Sequence, residues 1–138
     1  MTCHECGGET FERRTVEIPV QVGPYRVVDR SVVLPVCKAC GDAVIPAETH
    51  EQVELRAALV ALTDAPTMTG PTLRFARKAL GLTQTELAGK LATTGESISR
   101  WEREERLTNE TMLRQAVRAL LMERLMPPTK DVELRKVG

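Results

Sequence analysis

Four cysteines carry the plainest chemistry in this chain: Cys3 and Cys6 in "CHECG", and Cys37 and Cys40 in "CKACG". CxxC spacing turns two sulfurs onto one side of a tight loop. The glycine that follows each pair, Gly7 or Gly41, can leave that loop with a positive φ. Two such loops facing each other supply the four thiolates of a tetrahedral Zn2+ site. The competing uses are a thioredoxin-like redox pair and disulfides. Redox use needs only one CxxC and a βαβ setting, which this sequence lacks, and structural disulfides are rare in the cytosol. A catalytic zinc keeps an open position, whereas four thiolates close the shell and no Glu or His motif stands beside them. The expected role is therefore structural, with metal binding supplying folding energy and no enzymatic activity. His4, inside the first loop, is expected to point to solvent.

A second chemistry lies in "TTGESISRWERE", 93–104. On a helix turning about 100° per residue, Ile98 and Trp101 fall within about 60° of each other and point inward. Glu102 sits at the margin of that inner face, while Glu96, Arg100 and Arg103 lie opposite, and Thr94 is placed to cap the start. An arginine on such an outer face can bond guanine O6 and N7 in the major groove through both arms of its guanidinium. The same pattern also suits an ordinary amphipathic surface helix with a Glu96–Arg100 pair worth a few tenths of a kcal/mol.

The surrounding elements must position these groups. "TVEIPVQV" and "YRVVDRSVVLPV" alternate β-branched and polar residues as strands do, with "VGPY" as the turn and Asp29-Arg30 as a second turn or a bulge. "IPAETHEQVELRAALVAL", 45–62, reads as a helix with Pro46, Glu48 and Glu51 near its start and His50 on its surface. "TDAPTMTGP", 63–71, reads as a linker. From 72 the texture is helical. "TLRFARKALG" ends on Gly81, Thr83 and Glu86 form a capping box, and "NETMLRQAVRALLMERL", 109–125, carries a broad stripe of Met112, Leu113, Ala116, Val117, Leu120 and Leu121 behind Thr108 as cap. The fold class is α+β: a small zinc-ribbon-like β domain over 1–62, the linker, an all-α helix-turn-helix domain over 72–126, and a flexible tail over 127–138.

Composition agrees with that division. Apolar residues make up 42% of the 138 but aromatics only 3%, so the core is aliphatic, which implies small helical units or a part held by something other than packing. The formal net charge of +0 hides an acidic front, 6 Lys+Arg against 10 Asp+Glu over 1–66, and a basic back, 10 against 7 over 67–126. Opposite charges suggest different partners for the two halves. With no transmembrane run, and cysteines where a signal peptide would need apolar residues, a cytoplasmic location without membrane contact is expected.

"RKALGLTQTELAGKLATTGESISRWE" resembles the Xre/Cro-type helix-turn-helix family through Arg77, "GLTQ", Glu86-Leu87-Ala88 and "ISRWE". Ala92 stands where that family often has glycine. The resemblance implies that Gln84 and Thr94 contact phosphates, that Gly95, Glu96, Ser97 and Arg100 face the major groove, and that Arg77 pairs with Glu102. Glu96 could accept from a cytosine N4 or orient Arg100.

The ordered combination of CxxCG loops, strand-rich spacer, helix, connector and Xre-type domain resembles the MqsA family, the YgiT-type zinc finger antitoxins. That implies a zinc domain that neutralises a small basic ribonuclease toxin, and a C-terminal domain that dimerises and represses its operon by binding double-stranded operator DNA. The acidic front half fits a basic toxin. The alternative is a stand-alone zinc-stabilised regulator without a toxin partner.

Overall fold

The structure, a computed structural model, describes residues 1–105, 107, 109–125 and 132–136. The elements run β1 (Phe11–Val22), β2 (Tyr25–Cys37), α1 (Ala47–Asp64), α2 (Gly70–Ala79), α3 (Gln84–Lys90), α4 (Gly95–Glu102), α5 (Glu110–Arg124) and β3 (Val132–Lys136). β1 and β2 form a long antiparallel hairpin closed by Gly23-Pro24. Gly23 adopts φ +57 at the first turn position, a conformation that glycine reaches without strain. The Asp29-Arg30 irregularity is a bulge: Val16 pairs with Val32 but Ile18 pairs with Asp29, so β2 carries one residue more than β1 across it.

The bulge accompanies an inward Asp29. Its carboxylate is fully buried, accepts from the Ser31 backbone N–H at 2.9 Å, and receives the Arg56 Nε of α1 at 2.9 Å. This ion pair fastens the middle of the sheet to the middle of α1. Apolar packing does the same on either side. Val32, Leu34 and Val53 form one cluster, and Val22, Val27, Ala57, Val60 and Ala61 another.

α1 has a second buried side. Leu55, Ala58 and Leu62 belong to the large core made with Leu73, Ala76, Leu80, Leu87, Ala88, Ile98, Leu113, Val117 and Leu121 of the helical half. Sequence grouped α1 with the sheet alone; in space it is the floor of one layer and the wall of the other. The 63–71 stretch is correspondingly packed rather than loose. α1 runs on to Asp64, α2 begins at Gly70 under a Thr69 cap, and between them Met68 is only 1% exposed in the helical core. Arg114 of α5 donates to the carbonyls of Leu62 and Ala65 at 2.9 and 2.8 Å, holding this connector against the bundle.

Capping follows the sequence expectation in α3. Thr83 accepts from the Glu86 N–H at 3.1 Å, and Glu86 accepts from the Thr83 N–H at 3.0 Å. On α5, Leu113, Val117 and Leu121 are buried, whereas Met112 of the expected stripe is 75% exposed. Asn109 precedes the helix; Thr108, expected as its cap, lies outside the described residues.

The expected flexible tail requires a correction. Val132–Lys136 pairs antiparallel with Tyr25–Asp29 as a third strand, giving the sheet order β1-β2-β3. "VELRK" is short, alternating and charged, which suits a strand at a sheet edge. The rest of 126–138 lies outside the described residues. Among the described residues no helix is long and apolar enough to cross a membrane.

Ala92, between α3 and α4, sits at φ +54, where a side chain crowds its own backbone. Relief of about 1–2 kcal/mol of left-handed strain outweighs the roughly 0.5–1 kcal/mol of extra backbone entropy that glycine brings. Ala92→Gly should therefore raise stability by about 0.5–1 kcal/mol. Urea denaturation checks this, and a lowered midpoint would show that the turn is not strained.

Candidate metal centre and nucleic-acid interface

The metal centre is built where the open end of the hairpin meets the N-terminal loop. Each CxxC folds as the same small turn. Gly7 N–H donates to the Cys3 carbonyl at 2.9 Å and Gly41 N–H to the Cys37 carbonyl at 2.8 Å, with the two glycines at φ +76 and +81. Lys38 N–H reaches the Thr10 carbonyl at 2.9 Å and ties the second turn to the first. All four sulfurs lie within 4.8 Å of one another, with Cys3–Cys40 and Cys6–Cys37 both at 3.6 Å.

A tetrahedral zinc with Zn–S of about 2.3 Å requires sulfur–sulfur edges of about 3.8 Å, so the cluster is suited to zinc. The separations are also far longer than the roughly 2.05 Å of a disulfide. Both short edges cross from one loop to the other, so a metal here joins the N-terminus to the end of β2. Gly8 closes the back of the site: a Cβ there would lie 3.2 Å from Cys37 Sγ and 3.3 Å from Cys6 Sγ. The repeated glycine after Cys6 was its only sequence signal. His4 is exposed outside the cluster, and His50 is exposed on α1, 2.9 Å from Glu54.

As free thiols, Cys6, Cys37 and Cys40 are shifted by their neighbours. The backbone N–H of Cys40 draws Cys37 down to about 7, against desolvation and with help from the Ala39 N–H and the Cys6 and Cys3 thiols. The Asp42 N–H acts on Cys40 in the same sense, but the Cys3, Cys6 and Cys37 thiols and burial push it up to about 12. For Cys6 the Gly8 N–H and the Cys40 thiol pull downward, while Cys37, burial and Cys3 leave it raised. A metal binds thiolates, so loading must expel the protons held by Cys40 and Cys6. Affinity therefore rises with pH and falls on acidification, by up to about tenfold per pH unit for each proton displaced. Metal titration with a chromophoric competitor across the neutral range checks this; a pH-independent affinity would exclude thiolate ligation. Cys37→Ser should lose the metal while circular dichroism keeps the helical signal, because the core of α2–α5 contains no residue of the two loops.

The second site is the face presented by α3 and α4. Thr94 caps α4, accepting from the Ser97 N–H at 3.2 Å. Ile98 is fully buried and Trp101 half-buried, as the helical wheel requires, while Glu96, Arg100 and Arg103 are exposed. Glu102 is 8% exposed and receives Arg77 of α2 through two bonds, Nε to Oε2 at 2.6 Å and NH2 to Oε1 at 3.0 Å. Arg77 also donates to the Leu82 carbonyl at 3.0 Å, so one guanidinium braces α2, the following turn and α4. Gln84 Nε2 donates to Glu102 Oε1 at 3.1 Å. Among the described residues this bond uses one of its two N–H groups, leaving the other for an external acceptor.

The first turns of α3 and α4 flank an open groove of about 560 Å³ lined by Gln84, Thr85, Thr94, Gly95, Glu96 and Ser99. Of the sequence-assigned contacts, Gln84, Thr94, Gly95 and Glu96 meet there, whereas Ser97, Arg100 and Arg103 do not line it. Thr85 and Ser99 were missed. Ser99 lies about 60° from Glu96 on the wheel and was legible in the same projection. Thr85 was not, because its place depends on how α3 crosses α4: a Cβ on Gly95 would sit 3.3 Å from Thr85 Oγ1.

No curated protein matches the chain closely enough to be compared with it. A family model described as the antitoxin component of bacterial toxin-antitoxin systems, MqsA, matches residues 1–124. That match spans the four cysteines, β1, β2 and α1–α5, leaving β3 outside it, and by it the chain belongs to the MqsA antitoxin family.

Proposed function

We propose that this protein is the antitoxin of a toxin–antitoxin pair that neutralises a small basic ribonuclease through its metal-bearing half. As a homodimer it represses its own operon by placing α4 in the major groove of operator DNA. The observation that carries the DNA reading is the division of α4. Ile98 and the braced Glu102 hold the helix to the bundle, and Glu96, Arg100 and Arg103 stand free on the opposite side. Arg100 reads a guanine, Gln84 and Thr94 take phosphates at the groove between α3 and α4, and Gly95 and Ser97 allow close approach at the start of α4. Two copies would meet half-sites about 34–36 Å apart.

The resident ion in this reading is structural Zn2+ held by Cys3, Cys6, Cys37 and Cys40. Four thiolates leave no open position for a substrate, which supports a protein that binds rather than catalyses. The toxin partner is supported by family membership and by the acidic charge of residues 1–66, which complements a basic partner. Arg100→Ala should weaken operator binding by about 1–3 kcal/mol and relax preference at one base pair. Unchanged affinity and preference, measured by fluorescence anisotropy on a panel of single-base variants, would remove α4 from the reading role. Co-expression with the product of the neighbouring gene should abolish that product's toxicity. Full operator binding without any such rescue would favour the stand-alone regulator instead.

A further inference from the structure

Two glycines, Gly23 and Gly70, stand in series between the sheet and α4. At the hairpin tip, a Cβ on Gly23 would lie 2.6 Å from Thr72 Oγ1 and 3.1 Å from both Thr69 Oγ1 and the Thr72 backbone nitrogen, so the turn rests directly on the first turn of α2. Thr72 is fully buried and has nowhere to retreat; its hydroxyl is 2.9 Å from that of Thr69, the cap of α2. One residue on, a Cβ on Gly70 would lie 2.5 Å from the carbonyl oxygens of Trp101 and Glu102, and the Gly70 N–H donates to the Glu104 carbonyl at 2.8 Å. Tyr25, first residue of β2, adds a hydroxyl contact to Thr67 at 3.3 Å. Tip, α2 start and the last carbonyls of α4 thus touch in sequence at these two glycines, beside an open groove of about 320 Å³ lined by Pro24, Thr69, Pro71, Arg103, Glu104 and Glu105, and the element at the end of the series is the one that carries Arg100.

We propose that this stack is a mechanical coupling: the seating of the hairpin tip on α2 sets the position of α4, so a partner that displaces the sheet changes DNA affinity without touching a DNA-facing residue. The functional half of this inference rests on α4 being the reading helix. By linkage, DNA changes the affinity of such a sheet-bound partner by the same factor. The coupling runs through the main-chain carbonyls of Trp101 and Glu102 and the buried Thr72 hydroxyl, close-packed groups that transmit a shift rather than absorb it.

The test compares the full-length wild type, Gly23→Ala and Gly81→Ala. Gly81 also has a positive φ, +71, but a Cβ there meets nothing within 4 Å, so it shares the strain of the Gly23 variant without its clash. Hydrogen exchange of α4 amides, normalised to those of α5, should accelerate at least about fivefold in Gly23→Ala and stay unchanged in Gly81→Ala; operator affinity should fall by a similar factor. The single Trp of the chain, Trp101, reports the same displacement by fluorescence. Should Gly23→Ala fail to fold, Tyr25→Phe tests the junction without a clash, with a smaller change of the same sign. Faster exchange at the tip with α4 exchange unchanged would overturn the coupling. Faster α4 exchange in a protein that never binds duplex DNA would uphold the coupling and overturn the reading role of α4.

Discussion

The whole architecture depends on α1 being buried on two sides. A chain of 138 residues with 3% aromatics has too little bulky apolar surface for two independent cores. One helix therefore serves both. Val53, Ala57, Val60 and Ala61 pack beneath the sheet, while Leu55, Ala58 and Leu62 complete the helical core. The Asp29–Arg56 pair fixes the sheet on that helix at one register, since sliding by one residue would leave a buried carboxylate without its cation. Both candidate sites are then referred to α1: the four-cysteine cluster through the strands that lie on it, and the exposed face of α4 through the bundle that leans against it.

Charge is used sparingly inside this frame, and among the described residues both buried carboxylates are answered. Glu102 meets Arg77 bidentately and Asp29 meets Arg56, both pairs nearly withdrawn from solvent. Such pairs contribute little net stability against a well-packed apolar alternative, but they penalise every arrangement that separates them. Their value here is geometric. The first orients α4 and, through the Gln84 amide, one side chain of the adjoining groove; the second aligns sheet and helix.

Much of the site was legible from residue type and spacing, because metal-binding turns and helix caps are local. The CxxCG loops, the capping box at Thr83 and the wheel of α4 each depend on residues within one turn of one another. The Arg77–Glu102 pair came from the family resemblance and from the margin position of Glu102 on that wheel. What escaped were relations between distant segments. α1 reads as an ordinary amphipathic helix, and only the fold shows that its polar-looking margins, such as Arg56, are also interior. "TDAPTMTGP" has the composition of a linker, yet Met68 is an anchor, because a connector between two layers that share a helix has no room to hang free. The strand at 132–136 was missed for a similar reason. Five alternating residues become a strand only if an edge is open to receive them, and that edge belongs to β2, about a hundred residues earlier in sequence.

The position of the four cysteines has one more consequence. The hairpin is closed covalently at its tip, and a metal held by the four cysteines would close its other end, so that Cys6 and Cys37, 31 residues apart, would bound a loop that opens only if the ion leaves. A link of this kind acts on the unfolded chain as well as on the folded one, by denying it conformations. It also makes stability an intensive property of the surroundings. Once the free ion exceeds its dissociation constant, each further tenfold adds about 1.4 kcal/mol to the closed form. The persistence of this end of the protein, and of any partner surface built on it, would then be indexed to the ambient supply of the metal that fills the four-cysteine site.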